Sequence, residues 1–227
     1  MHFADMTWRQ VERYLESDDR VIVVVGSCEQ HCGLSLVTDV RVPLAIAERV
    51  AAAEGILVAP PINFGTSPQF MAYPGTISVS IETMCSLLTE VVRSLYEHGF
   101  KRVFVLNGHG GNTPALAALQ SIVESHHDLQ IQAADWWRLP CIGEAAKRVG
   151  SPAAHGNWLE NFTFTRIEQP EGEKPSVEVP RFAPAGWFRN LVGDGSFGGA
   201  YGQPDDVMQD LLSTAVDEVR RMVQTGW

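Results

Sequence analysis

Five consecutive apolar residues, four of them valine, form the run Val21-Ile22-Val23-Val24-Val25 and end at Gly26. Nothing else in the chain restricts its fold as much. A strand with one wet face alternates apolar and polar side chains. A strand that is apolar at every position must be covered on both faces, as in a parallel sheet between two layers of helices. The punctuation that follows fits this. Val42 to Ala53 has helical spacing with Pro43 in the first turn, and Gly55 stops it. Ile56-Leu57-Val58-Ala59 is a second short strand, closed by Pro60-Pro61. Met84, Leu87, Leu88, Val91, Val92 and Leu95 recur at helical spacing between Ile81 and His98, with Gly99 as the stop. Val103-Phe104-Val105-Leu106 is the third strand, Pro114 to Glu124 the next helix, and Ile131-Gln132-Ala133-Ala134 the fourth strand.

Alternating strands and helices predict an α/β fold, with a mostly parallel central sheet covered by helices on both faces. Residues 1–227 make one domain at this length. Residues 168–204 break the pattern with repeated Pro and Gly, as expected of a functional loop, a lid or an oligomer contact. Asp205 to Thr225 closes the chain as an amphipathic helix.

The net charge of -10, from 17 basic and 27 acidic residues, argues against a nucleic-acid or anionic-membrane partner. No stretch approaches the roughly 18 apolar residues of a membrane span, and the first residues show no signal-peptide pattern. The four cysteines have no CxxC or framework spacing, which reads as reduced thiols in a cytoplasmic protein. Cys28 and Cys32 flank an acidic motif, but no second cysteine pair completes a thiolate zinc set.

Three short stretches carry carboxylates and imidazoles, the ligands that divalent Zn or Mn accepts. Glu29 and His31 lie two apart after the first strand and point the same way if the chain stays extended. Asp39 arrives after a short loop and can return to the same point, although a helix N-cap is the plainer reading. His109 sits among glycines in Asn107-Gly108-His109-Gly110-Gly111-Asn112, directly after a buried strand. A dinucleotide loop would need a third glycine in place of this pattern. His155 and Glu160 are five apart, so they meet only if His155 precedes a helical turn.

Together these segments resemble the creatininase (creatinine amidohydrolase) family of metal-dependent hydrolases. The match rests on Gly26-Ser27-Cys28-Glu29-Gln30-His31 with Thr38-Asp39, on Tyr73-Pro74-Gly75-Thr76-Ile77-Ser78, and on the intact Asn-Gly-His-Gly-Gly-Asn loop at 107–112. The resemblance implies a creatininase-like three-layer sandwich holding two divalent ions, Zn and/or Mn. It implies Glu29, Asp39 and His109 as ligands of one ion, and His31, the shared Asp39 and Glu160 as ligands of the other. Creatininase itself takes a glutamate from the position of Gly111, so Glu160 substitutes for it here. His155 falls where the family places a proton-transfer histidine, with Glu160 beside it at the reacting centre. Trp136, Trp137 and Trp158 resemble an aromatic substrate wall, with Gly110 and Gly111 leaving room for the substrate.

The implied activity is hydrolysis of a cyclic or linear amide-type C–N bond in a small molecule, by a hydroxide bridging two ions. C–C cleavage of a cyclic polyol ketone and metal binding without turnover are the alternatives. The family also implies a homo-oligomer, up to a hexamer. The chain departs from the usual family loop, Glu-Gln-His-Gly-Pro-His-Leu-Pro. It reads Glu29-Gln30-His31-Cys32-Gly33-Leu34-Ser35-Leu36, one residue shorter before Asp39 and without the second histidine. A different substrate pocket is expected.

Overall fold

The computed structural model describes residues 2–168, 170–180 and 182–227. In chain order its elements are α1 (Trp8–Leu15), β1 (Arg20–Val25), α2 (Thr38–Glu54), β2 (Leu57–Val58), α3 (Ile81–Glu97), β3 (Arg102–Asn107), α4 (Gln120–Ser125), β4 (Gln130–Asp135), α5 (Pro140–Val149), β5 (Glu173–Lys174), α6 (Ala185–Val192), β6 (Gly199–Ala200) and α7 (Asp205–Thr225).

The first four strands form one parallel sheet in the order β2-β1-β3-β4, and β5 and β6 make a separate antiparallel pair. Side chains alternate between the two faces, so the valine run feeds two cores. Val21, Val23, Val25, Val103 and Val105 pack under Met84, Leu88 and Val92 of α3. Ile22, Val24, Phe104 and Leu106 pack under α2 and α7, through residues such as Ile46, Val50, Leu212 and Val219. Five of the six residues of β1 and of β3 are buried, which is why neither strand alternates in polarity.

From β1 the chain runs through α2 to β2 on one side, then returns through α3 to β3 on the other side of β1. The connections therefore diverge at the carboxyl ends of β1 and β3. Such a switch point opens a crevice at the sheet edge, where α/β folds bind ligands. Register aligns Val25 with Asn107 and Asn107 with Asp135, so the three strands end level with one another.

Several elements depart from expectation. Helix α2 starts at Thr38 and not at Val42, which puts Asp39 inside its first turn and Pro43 in the helix interior. Proline has no N–H to offer the carbonyl four residues back, so the Asp39 carbonyl is released from the helix ladder. That carbonyl packs against Gly108, where any Cβ would fall under 3.0 Å from it. The second strand shrinks to Leu57–Val58, bounded by Pro60-Pro61. The helix expected over 114–124 is a 3-10 segment, Gly110–Leu119, running into the short α4. Pro114 again removes an α-type donor, and the Gly and Ala side chains around it do little to enforce α spacing. Residues 168–204 are not a bare loop. They contain β5, α6 and β6, and Phe188 and Val192 of α6 pack on Phe70 and Tyr73.

Candidate metal centre and cavity

Three chain returns converge at the β1–β3 crevice. After Gly26 the chain folds into a loop closed by the Glu29 N–H bonding to Leu36 O (2.8 Å), which delivers Asp39 back beside Glu29. After β3, the Asn107 side chain braces its own loop, donating to His109 O (2.9 Å) and accepting from His109 N (3.1 Å). Asn112 ties that loop to the first one, donating to Gly26 O (3.0 Å) and accepting from Thr66 N (3.0 Å). His155 lies on the turn before a 3-10 turn, Trp158–Glu160, and the Gly156 N–H holds Glu160 Oε2 at 2.7 Å. In the shortened loop Cys32 stands where the usual pattern has glycine. It adopts φ of +54°, with its N–H held by Gln30 Oε1 (3.1 Å). Few side chains take that left-handed conformation without cost.

Glu29 and His31 are fully buried, and Asp39, His109 and Glu160 nearly so. The two Asp39 oxygens point to different histidines: Oδ1 lies 2.9 Å from His31 Nε2, and Oδ2 lies 3.0 Å from His109 Nδ1. Glu29 Oε1 is 3.3 Å from His109 Nδ1, and Glu160 Oε1 is 3.9 Å from His31 Nε2. Glu29, Asp39 and His109 form one cluster whose ligand atoms lie within 4.8 Å of one another; His31, Asp39 and Glu160 form another. A third such grouping joins Glu29, His31 and His155.

The far nitrogens of both ligand-type histidines face backbone carbonyls. His109 Nε2 sits 2.9 Å from Thr66 O, and His31 Nδ1 sits 3.1 Å from Glu29 O. A carbonyl only accepts, so those nitrogens carry the hydrogen and the lone pairs of His109 Nδ1 and His31 Nε2 turn toward carboxylates. Lone pair against carboxylate is repulsive unless a cation lies between them. This is the arrangement of metal-binding histidines whose outer N–H is anchored on a carbonyl. Glu29 Oε1 and Oε2 and Asp39 Oδ2 are buried with no hydrogen-bond donor among the described residues, a cost that positive charge would remove.

The electrostatics agree. Burial pushes His31 toward the neutral form, yet Asp39 and Glu160 outweigh it and hold its pKa at about 10. His109 is likewise buried but raised well above its ordinary value, chiefly by Glu29 and Asp39. Both shifts mark a pocket that favours positive charge between these carboxylates. Burial lifts Glu160 to about 7. His155 moves the other way, well below its ordinary value, through burial and then the neighbouring His31.

His155 Nδ1 faces Glu29 Oε1 at 3.7 Å, and its ring stacks on Phe70 with centroids 4.6 Å apart. Its Nε2 meets both the backbone carbonyl and the side-chain amide of Gln30, each at 2.9 Å. The carbonyl accepts from one tautomer and the amide donates to the other, so the ring keeps a partner whichever nitrogen holds the proton. Gln30 and Phe70 were not singled out from sequence. Gln30 sits inside the Glu-Gln-His motif and was legible there; Phe70 is placed only by tertiary packing.

A cavity of roughly 380 Å³ opens onto these groups. Its wall away from the carboxylates and imidazoles includes Phe70, Trp137, Leu159 and Phe197, with Gln69 and the glycines 110 and 111 at its edge. Of the three tryptophans expected to line it, only Trp137 does. Trp136 and Trp158 are buried in the α2–α7 core, and the Trp158 indole N–H is spent on Pro152 O (2.9 Å). Each sits on a short 3-10 turn, Trp136–Arg138 or Trp158–Glu160, that points it into this core. Gly111 owes its missing side chain to crowding as well as to the cavity. A Cβ there would sit under 3.0 Å from Thr66 O and His109 Nε2, so a glutamate at this position has no room. Cys28 and Cys32 lie outside the three clusters, with Sγ atoms beside Gly75 O and Asp194 respectively.

The chain is 38% identical over 128 residues to the mycofactocin precursor peptide peptidase of Mycolicibacterium smegmatis, covering 53% of this chain and 49% of that protein. It is 35% identical over 113 residues to the 3-dehydro-scyllo-inosose hydrolase of Thermotoga maritima, covering 48% and 36%. The matched stretches thus span about half or less of these relatives. A zinc–zinc form of a creatininase variant has the same fold, with TM-score 0.84, 21% identity and coverage of 98% and 96% of the two chains. The family profile for creatininase, described as creatinine amidohydrolase, matches residues 4–223. This chain belongs to the creatininase family, whose members are hydrolases.

Proposed function

We propose that this protein, as a single creatininase-like domain, is a two-metal hydrolase of an amide-type C–N bond in a small molecule. The observation that carries the reading is the division of Asp39, one oxygen toward each histidine, because a bridging carboxylate is what a pair of cations requires. Glu29, Asp39 and His109 would hold one Zn or Mn ion, and His31, Asp39 and Glu160 the other. Three carboxylates against two divalent ions leave one positive charge, which suits a site that must also take up an anionic oxygen. When bound, the ions supply an acidified water nucleophile and a Lewis acid for the scissile carbonyl.

The chain's own groups do the rest. His155, held neutral by its surroundings, can take a proton at Nδ1 on the cavity side and pass it to the departing nitrogen. The Gln30 amide and carbonyl keep Nε2 bonded throughout. Phe70 and Phe197 flank the His155 ring and keep water from its faces. Trp137 and Leu159 offer apolar surface to the substrate body. Among the described residues no lysine or arginine lines the cavity, which favours a substrate without a phosphate or an extra carboxylate. Among the described residues Gln69 is the one polar side chain on the wall beyond the acidic and imidazole groups. That is poor provision for the several hydroxyls of a polyol ketone, and it places the amide reading first.

Metal analysis of the purified protein should find about two ions per chain. A screen against lactams, formamides, short peptides and cyclic ketones should give metal-dependent turnover of a C–N substrate. His155→Ala should keep both ions and lose turnover. Fewer than one ion per chain in metal-replete buffer would overturn the two-metal reading, and full activity of His155→Ala would remove the proton-transfer role.

A further inference from the structure

The loop that carries His109 has little to hold it from within. Between Asn107 and Thr113 stand Gly108, His109, Gly110, Gly111 and Asn112, so three of the five residues bring no side chain. Both ends of this loop are instead tied to one residue outside it. Asp135 is the last residue of β4, level with Asn107 at the end of β3. Its Oδ1 accepts from Asn107 Nδ2 at 2.8 Å, and the Thr113 hydroxyl lies 3.3 Å from both carboxylate oxygens.

The Asp135 side chain is only 9% exposed, and a carboxylate buried that far needs donors or a cation. Among the described residues its ion-pair partner is Arg138, at 3.3 Å and 68% exposed. A pair reaching that far into solvent contributes little. The donors of the His109 loop are what hold this carboxylate.

A carboxylate only accepts, so it admits the Asn107 amide in one orientation, nitrogen inward. The amide oxygen is then left to receive the His109 N–H (3.1 Å), while the same Nδ2 donates to His109 O (2.9 Å). Turned over, the amide would set its oxygen against the carboxylate and against His109 O. One amide therefore fixes both main-chain groups of His109, and with them the point from which the ring leaves the backbone. The Nδ1 of that ring is the atom 3.0 Å from Asp39 Oδ2 and 3.3 Å from Glu29 Oε1.

We propose that Asp135 is a positioning residue for the candidate metal centre: through the Asn107 amide and the Thr113 hydroxyl it holds the loop that aims His109 at the ion between Glu29 and Asp39. The inference rests on the two-metal reading. Asp135 lies outside the three ligand clusters and off the cavity wall, and acts only through its neighbours.

Titration of the metal-free full chain with Zn2+, in competition with a chelating dye, tests it. Wild type should show two affinities. Asp135→Leu keeps the bulk of the side chain and removes both acceptors. It should weaken the site at His109 about tenfold, the low end for outer partners of a metal histidine because it works through Asn107. The site at His31 and Glu160 should keep its affinity, whereas a general loosening of the fold would lower both together. Asp135→Asn retains an oxygen for the Asn107 amide and should stay close to wild type. Circular dichroism should be the same in all three proteins. Two wild-type affinities in Asp135→Leu, or two equally weakened ones, overturn the proposal. So does an Asp135→Asn protein as weak as the leucine variant, since the hydrogen bond would then not be the cause. Should Asp135→Leu fail to fold, Thr113→Val decides by the same selective loss, and wild-type affinities there overturn the proposal. Uptake of fewer than one Zn2+ per chain by wild type is a separate result: it overturns the two-metal reading itself, and this inference with it.

Discussion

Gly111→Ala probes the bond that stands behind one half of the centre. The added methyl would sit under 3.0 Å from Thr66 O and from His109 Nε2, the two ends of a 2.9 Å hydrogen bond. Thr66 is held in place, since its N–H is bonded to Asn112 and the next residue, Ser67, bonds through its N–H to Ser78 Oγ (2.8 Å). The imidazole is therefore the group that yields. Fitting an extra methyl into such packing costs about 1–3 kcal/mol of stability. Losing the outer hydrogen bond of a metal histidine typically weakens the metal about 10- to 100-fold, or about 1.4–2.8 kcal/mol. The loss should fall on the ion at Glu29, Asp39 and His109. The ion at His31 should keep its affinity, because His31 is anchored separately on Glu29 O. Competition titration of the metal-free protein with a chelating dye resolves the two affinities, and a thermal melt of the same sample reads the stability cost. Two sites at wild-type affinity, or two sites weakened equally, would refute the reasoning.

Glu160→Gln should loosen the ion at His31 and Asp39 and leave the other, falling from about two ions per chain toward one by elemental analysis. Trp158→Ala removes a fully buried ring and its bond to Pro152, and should cost about 3–5 kcal/mol in denaturant unfolding. Trp137→Ala should instead raise KM with little change in the melt. Away from the centre, burial would raise the Asp18 carboxyl, but hydrogen bonds and charge from Arg20, with Arg102 beyond, hold it below its ordinary value. A lowered native pKa gives stability that is complete above the unfolded value of about 3.9 and is lost as pH falls through the native one. Asp18→Asn should therefore flatten the acid limb of the melting temperature below about pH 4, and an unchanged limb would show that the pair adds nothing.

Two helices absent from the sequence reading were signalled in it. Thr7 and Gln10 form a capping box at the start of α1. Pro140 opens α5 and Gly150 closes it in a left-handed turn, the usual placement of these two residues. Helix α1 is short, rich in charged side chains and buries none of its residues, so no apolar run marks it in the sequence. The 3-10 form of 110–119 had no such signal. Helical spacing and composition describe both windings, and the missing Pro114 donor tips the balance only in context.

By itself the sequence determined the layered α/β fold, because a strand apolar at every position has to lie between two layers. It also determined which side chains carry the chemistry, since few residue types serve as divalent-metal ligands and here they stand in short motifs after buried strands. Tertiary structure alone decided how they are shared. Asp39 divides its oxygens because His31 and His109 reach it from separate loops on its two sides. His109 presents its lone pair because the carbonyl of Thr66, from a distant segment, takes its hydrogen, and His31 does so because the chain turns back to offer it the Glu29 carbonyl two residues before. Trp136 and Trp158 went to the core and Trp137 to the cavity wall because each rides on a short 3-10 turn whose direction is set by the segments packed around it and not by the side chain.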